Sequence, residues 1–133
     1  MKELQTIQRE NKLNDVFALD EPGPGGACHH YAVFAHGDVT SEELPRRLEA
    51  DDLFYHGEVH FQYGPRNDPD SISGVADEDL LEIVRDRLTD FQHGPFACQA
   101  NADALNHITA ALMSLNARTQ DRAARSVLGV NKA

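Results

Sequence analysis

The second half of the chain repeats apolar residues at the period of an α-helix, and this pattern constrains the fold more than any other feature. The apolar positions lie three, four and three residues apart in two groups: Leu81, Val84, Leu88 and Phe91, then Leu105, Ile108, Leu112 and Leu115. Between the groups stand Gly94 and Pro95, which are typical of the end of one helix and the start of the next. With Asp77 as a cap, the pattern predicts helices over 77–93 and 95–125 that form an antiparallel hairpin with a very tight turn.

Before residue 74 the pattern changes to short segments rich in Val, Phe and Tyr, bounded by Gly and Pro. These segments predict the strands of a small antiparallel sheet: "DVFAL" (15–19), "CHHYAVFA" (28–35) and "EVHFQY" (58–63). A helix-start signal predicts one short surface helix around 42–50, and 64–74 is a predicted loop. The predicted fold class is therefore α+β, with a β-rich portion over 1–74 followed by the helical hairpin.

The size and charge of the chain restrict its function. A chain of 133 residues, 41% of them hydrophobic, is expected to form one compact domain over 1–133. The formal net charge of −10 argues against binding to nucleic acid or to anionic membranes, because both need a positive potential. The sequence shows no signal peptide and no apolar span of membrane length, so we expect a cytoplasmic protein. Cys28 and Cys98 are then expected to stay reduced and to act as small packing residues.

Three arginines cluster near the end of the second predicted helix of this acidic chain. Arg118 and Arg122 lie four residues apart and share one helix face, where two guanidinium groups can close on phosphate oxygens. Arg125 lies on the neighbouring face. The alternative is that these side chains favour the end of the helix dipole and pair with Asp121 or with other carboxylates. The spacing is compatible with a pocket for a small, doubly charged anion.

The hairpin sequence "SGVADEDLLEIVRDRLTDFQHGPFACQANADALNHITAALMSLNARTQDR" resembles a domain shared by two groups of phage proteins, the Thoeris anti-defence sponges and the anti-CBASS sponges. The segments "GGACHHYAV" and "HFQYGP" resemble the small β-portion of the Thoeris group. The resemblance covers roughly 28–125. It does not extend to the segment 37–57 or to the ending "SVLGVNKA".

The resemblance implies a protein without catalytic activity or cofactor that traps cyclic ADP-ribose isomers made by bacterial TIR-domain enzymes in the infected host. Some members also hold cyclic di- or trinucleotides at a separate site, and members form homodimers and, in some cases, hexamers. By resemblance, Arg118 and Arg122 hold the pyrophosphate, Asn101 reaches ribose or base edges, and Phe91 offers a stacking face. Arg66, in the predicted loop, is a further candidate ligand-binding residue.

The length of the second helix adds a geometric condition to this assignment. Asn101 and Arg118 are seventeen residues apart, about 25 Å along a helix, and Phe91 lies beyond the turn at the Asn101 end. One small ligand cannot reach both ends within one chain. We therefore predict a site built from two antiparallel chains, with two such sites in a twofold dimer.

Two other classes of protein, a metal-binding protein and a hydrolase, fit the sequence less well. A metal site could use "CHH" (28–30) or His56 with His60, but neighbouring strand residues point to opposite faces and the His56 to His60 spacing suits only a helix. A hydrolase of the nucleotide signal could use Asp68 and Asp70, but both lie in a Pro-rich loop without a recognisable nucleophile. We predict no metal site and no catalysis, with a signal-degrading enzyme and a metal-binding phage regulatory protein as the alternatives.

Overall fold

A computed structural model describes residues 1–8 and 10–125 of the chain. These residues belong to two compact units. Among the described residues, the first contains Met1–Gly64 and Ile72–Gly74, and the second contains Pro65–Ser71 and 75–125. The ending "SVLGVNKA", which the family resemblance does not cover, lies outside the described residues. That residues 1–133 act as one domain stays a prediction.

The first unit is built on a four-stranded antiparallel sheet with the strand order β1-β2-β3-β4. The strands are β1 (Lys2–Glu3), β2 (Asn14–Ala18), β3 (His30–Ala35) and β4 (Gly57–His60). The prediction of a small antiparallel sheet is confirmed, with β2, β3 and β4 inside the three predicted segments or within one residue of them. The short edge strand β1 was not predicted, because two residues are too few to show an alternating pattern.

The hydrophobic core of this unit lies on one face of β2 and β3. Phe17 and Phe34 are fully buried and meet edge to face, with 5.6 Å between ring centroids. Leu44 is 1% exposed and belongs to the same cluster. It begins the short helix α1 (Leu44–Glu49), which confirms the helix predicted around 42–50. The N-terminal turn is fixed by Thr40, whose hydroxyl oxygen accepts a hydrogen bond from the Glu43 N–H at 3.3 Å.

One buried charge lies at the start of β2. Asp15 is 3% exposed, and its carboxylate accepts hydrogen bonds from the Gly37 N–H (2.9 Å) and His36 Nδ1 (2.8 Å). Lys12 Nζ lies 2.9 Å from the same carboxylate. Burial raises the pKa of Asp15, but these hydrogen bonds outweigh it and lower the pKa to about 2. The carboxylate therefore stabilises the fold at neutral pH.

The second unit contains the predicted antiparallel helical hairpin, made of α2 (Asp77–Gln92) and α3 (Gln99–Ala124). At the start of α2, the Asp79 carboxylate accepts a hydrogen bond from the Ala76 N–H at 2.8 Å. The sequence predicted Asp77 as the cap of this helix. In the structure Asp77 is instead the first residue of the helix. The Asp79 carboxylate accepts from the otherwise unpaired N–H of Ala76, so this end of the helix does not depend on a cap from Asp77.

The turn of the hairpin is longer than predicted, and Pro95 does not begin the second helix. Residues 93–98 separate α2 from α3. The Gln92 side chain closes this loop, because its Nε2 donates to the Cys98 carbonyl at 3.2 Å and its Oε1 accepts from the Cys98 N–H at 3.0 Å. The two hydrogen bonds of the Gln92 side-chain amide thus do what backbone hydrogen bonds would do in a tight turn. The helix starts after Cys98, whose backbone is extended with φ −155°.

Candidate ligand-binding site

Arg118 of α3 lies beside the start of α2, at the end of the hairpin opposite the turn. Its Nη2 is 3.7 Å from Oε1 of Glu78, in the first turn of α2. The Arg118 side chain is 60% exposed and that of Glu78 is 34% exposed. Such an exposed pair contributes only about 0.2–1 kcal/mol to stability, so an anionic ligand could replace Glu78 as the partner of Arg118.

Arg122 follows one turn later on the same face of α3 and is half-buried. Arg125, at the end of α3, donates from Nε to Asp121 Oδ2 at 3.0 Å. The alternative left open by the sequence, pairing with carboxylates, therefore holds for Arg118 and for Arg125. Beyond Arg118, which lies beside the first turn of α2, α3 continues for six residues to Ala124, roughly 9 Å.

The candidate aromatic residue lies at the opposite end of the hairpin. Phe91, in the last turn of α2, is 41% exposed. The guanidinium carbon of Arg87 lies 5.5 Å from the centre of its ring, a cation–π contact on the face of the helix. Sequence reasoning overlooked Arg87, although the four-residue spacing between Arg87 and Phe91 was visible in the sequence. Phe91 therefore has an exposed ring with a positive charge already beside it.

Asn101 has a local structural role in the turn. Its Nδ2 donates to the carbonyl oxygen of Phe96 at 3.4 Å, and its side chain is half-buried. Phe96 is itself 76% exposed at the tip of the hairpin. The turn thus presents a second exposed aromatic ring that the periodicity of the helices could not indicate, because Phe96 lies outside both helices.

Arg66 lies in the segment Pro65–Ser71 of the second unit and is exposed. In the same segment, the Asp68 carboxylate accepts a hydrogen bond from the Asp70 N–H at 2.9 Å. This is the geometry of a local turn, in which a side chain replaces a backbone acceptor. Asp68, weighed above as part of a hydrolase, therefore holds the loop together.

The structure brings the candidate residues together in two groups instead of one. Arg118 and Arg122 lie at the open end of the hairpin, and Phe91 and Asn101 lie at its turn. Both Asn101 and Arg118 belong to the uninterrupted helix α3, so about 25 Å separates them within one chain. Arg66 lies in neither helix.

The hairpin also leaves much of its apolar surface uncovered. Within Asp77–Gln92 and Gln99–Ala124, none of the residues is buried. Ile83 is 58% exposed, Val84 42% and Met113 69%. Two helices cannot enclose a core by themselves, so the apolar stripes predicted from the sequence are only half-covered. Among the described residues, no helix is both long enough and apolar enough to cross a bilayer.

The comparison with known proteins concerns this hairpin. Residues 56–120 match the family described as "Acb2/Tad1, hairpin domain". This segment is slightly less than half of the chain, contains most of the helical hairpin and is similar to the Acb2/Tad1 hairpin domain. The resemblance predicted from the sequence is thereby confirmed. The match includes Phe91, Asn101 and Arg118 and ends two residues before Arg122.

A curated protein named "Thoeris anti-defense 1", from Bacillus phage SBSphiJ7, is 42% identical to this chain over 74 residues. The aligned stretch covers 56% of this chain and 51% of the phage protein. The chain therefore matches about half the length of this relative.

Proposed function

We propose that this protein is a phage anti-defence protein that binds a cyclic ADP-ribose isomer and withholds it from a bacterial immune effector. It acts by sequestration in the cytoplasm of the infected host and leaves the ligand chemically unchanged. The observation that carries this proposal is the Acb2/Tad1 hairpin, together with the similarity to a protein named for anti-defence against Thoeris.

The chemistry of the hairpin ends supports a nucleotide ligand. A cyclic ADP-ribose isomer carries a pyrophosphate, two riboses and an adenine. Arg118 and Arg122 offer guanidinium groups to the pyrophosphate, and the exposed ring of Phe91 offers a stacking surface to the adenine. The free Oδ1 of Asn101 can accept a hydrogen bond from a ribose hydroxyl, while its Nδ2 stays on Phe96. Arg66 is a further candidate for phosphate contact.

We propose that each site takes its parts from two chains of a homodimer, with the hairpin turn of one chain beside the arginine end of the other. Two observations support this arrangement. The 25 Å between Asn101 and Arg118 exceeds the span of one small nucleotide, and Ile83, Val84 and Met113 leave apolar surface for a partner chain to cover. Such dimers could assemble further into a hexamer.

The function is tested by incubating the purified chain with a panel of cyclic ADP-ribose isomers and cyclic di- and trinucleotides. After gel filtration, the bound molecule is released by denaturing the protein and identified by mass spectrometry. We expect stoichiometric retention of a cyclic ADP-ribose isomer and its release unchanged. Release of a linear or hydrolysed product would identify a signal-degrading enzyme instead. Failure to retain any member of the panel would refute the proposal.

A further inference from the structure

A cluster of two histidines and one glutamate lies at one end of strands β3 and β4, on the sheet face that also carries Phe34, in the unit that the proposed ligand site does not use. His30 of β3 and His60 of β4 are direct partners in the strand register. Glu58 precedes His60 by two residues, so both side chains lie on the same face of β4. Strand pairing therefore brings together three side chains from two separate parts of the sequence.

The three side chains converge on one point. His30 Nε2 lies 2.7 Å from Glu58 Oε1, and His60 Nε2 lies 2.9 Å from the same oxygen atom. The two imidazole rings stack, with 4.1 Å between their centroids and 19° between their planes. The potential ligand atoms all lie within 4.8 Å of one another. Two nitrogens and one carboxylate oxygen thus surround a common volume.

The first residue of β3 is held by an anchor separate from the cluster. The Asp20 carboxylate accepts hydrogen bonds from the N–H of His29 at 3.0 Å and from the N–H of His30 at 3.2 Å. His29 points to the other face of the sheet, where its ring contacts Tyr63 edge to face at 4.9 Å. The backbone under His30 is therefore fixed, and only the side-chain torsions remain to be adjusted.

We propose that His30, Glu58 and His60 bind a divalent transition-metal ion of the Zn²⁺ class, with at least one coordination position open to solvent. Two imidazoles and one carboxylate are a donor set that Zn²⁺ uses when it keeps an open position. Mg²⁺ and Ca²⁺ are disfavoured, because both select oxygen ligands. This proposal does not depend on the proposed nucleotide ligand.

The distances suit a metal ion after a small expansion. In a tetrahedral site with bonds of about 2.1 Å, neighbouring ligand atoms lie about 3.4 Å apart. The observed contacts of 2.7 Å and 2.9 Å must lengthen by roughly half an ångström, which small side-chain rotations can supply. The side chains of His30, Glu58 and His60 are 27%, 37% and 61% exposed, so an ion can enter from solvent.

The sequence predicted no metal site at His56 with His60 or at the histidines of "CHH". The structure selects a different set, because strand register places His30 opposite His60 and leaves His56 outside the cluster. His56 is exposed, and its ring contacts Phe54 at 6.1 Å. It provides a matched control four residues away from a proposed ligand.

The test begins by removing metal from the full chain with a chelator. ZnCl₂ alone is then titrated into the protein, and binding is measured by isothermal calorimetry. We expect one ion per chain and, at a hundredfold excess over Kd, a rise of about 5–10 °C in Tm. The electronic spectrum of bound Co²⁺ should report a tetrahedral site. Glu58→Gln and His60→Asn should each weaken Zn²⁺ binding at least tenfold, whereas His56→Asn should leave it unchanged.

Several results would overturn the proposal. These are the absence of saturable binding, unchanged affinity in Glu58→Gln, or an equal loss of affinity in His56→Asn and His60→Asn. Thermal unfolding of each variant without metal verifies that the chain is folded. Because the three side chains are partly exposed and lie outside the core cluster, the substitutions should leave the metal-free Tm within a few degrees of the wild type.

Discussion

Replacing Glu78 with Gln should strengthen nucleotide binding, because Glu78 competes with the ligand for Arg118. The carboxylate lies 3.7 Å from the Arg118 guanidinium, and a phosphate that binds Arg118 as proposed would compete with it. If Arg118 served only the hairpin, the same substitution would lower stability and leave binding unchanged. The variant Glu78→Gln therefore separates a ligand-binding arginine from a structural one.

The expected size of the effect follows from the exposure of the pair. At 3.7 Å in water, two unit charges attract by about 1 kcal/mol, and measured exposed pairs contribute about 0.2–1 kcal/mol. Releasing Arg118 from Glu78 should thus tighten binding by about 1.5-fold to fivefold. The gain should shrink at high salt, because the attraction between exposed charges is screened. Glu78 also favours the α2 dipole, so Tm should fall slightly.

Isothermal calorimetry with the retained cyclic ADP-ribose isomer, at low and high salt, measures the change. Glu82→Gln is the matched control, because Glu82 lies one turn further along α2 and pairs with Arg85 at 3.9 Å. We expect the affinity of Glu82→Gln to equal that of the wild type. Unchanged or weaker binding by Glu78→Gln, in a chain that is folded at the assay temperature, would refute the role given to Arg118.

Other predictions concern the arginines, the buried carboxylate and the turn. Arg118→Ala and Arg122→Ala should each weaken ligand binding by about 1.5–3 kcal/mol in calorimetry, while the control Arg46→Ala, at an exposed position of α1, should bind like the wild type. The folded-state pKa of Asp15 is lowered to about 2, so its stabilisation is present above pH 4 and is lost as the pH falls towards 2. Between pH 5 and pH 2, the free energy of unfolding should fall by about 2 kcal/mol more in the wild type than in Asp15→Asn, and equal losses in denaturant titrations would contradict the assignment. Gln92→Ala should remove two turn hydrogen bonds and lower the free energy of unfolding by about 1–3 kcal/mol. An unchanged Tm would show that the hydrogen bonds between Gln92 and Cys98 do not stabilise the turn.

The architecture could be predicted from local signals alone. The spacing of Leu81, Leu88 and Phe91 determines a helix, and the β-branched and aromatic segments before residue 74 determine strands, because both patterns depend on which face of an element is apolar. The turn could not be predicted in the same way. Gly94 and Pro95 indicate a break between the helices but do not give its length. That length depends on the hydrogen bonds between the Gln92 side chain and Cys98, which the sequence pattern does not indicate.

The residues around the candidate sites were harder to predict for a related reason. Glu78 and Arg118 lie forty residues apart in sequence, and their ion pair depends on how the two helices align along the hairpin. His30 and His60 meet through strand register, which a one-residue slip would abolish. Contacts between distant segments follow from packing geometry, and sequence periodicity does not specify that geometry.

Complementation between two defective variants tests most directly whether one ligand site takes its parts from two chains. Asn101→Ala and Arg118→Ala chains are first shown to bind poorly on their own. They are then unfolded and refolded together in equal amounts, and ligand binding is measured by calorimetry. Binding should return at about one quarter of the sites, because roughly half of the dimers are mixed and each mixed dimer has one intact site. If mixed dimers are present by native mass spectrometry and the mixture binds no better than the separate variants, the site is not shared between chains.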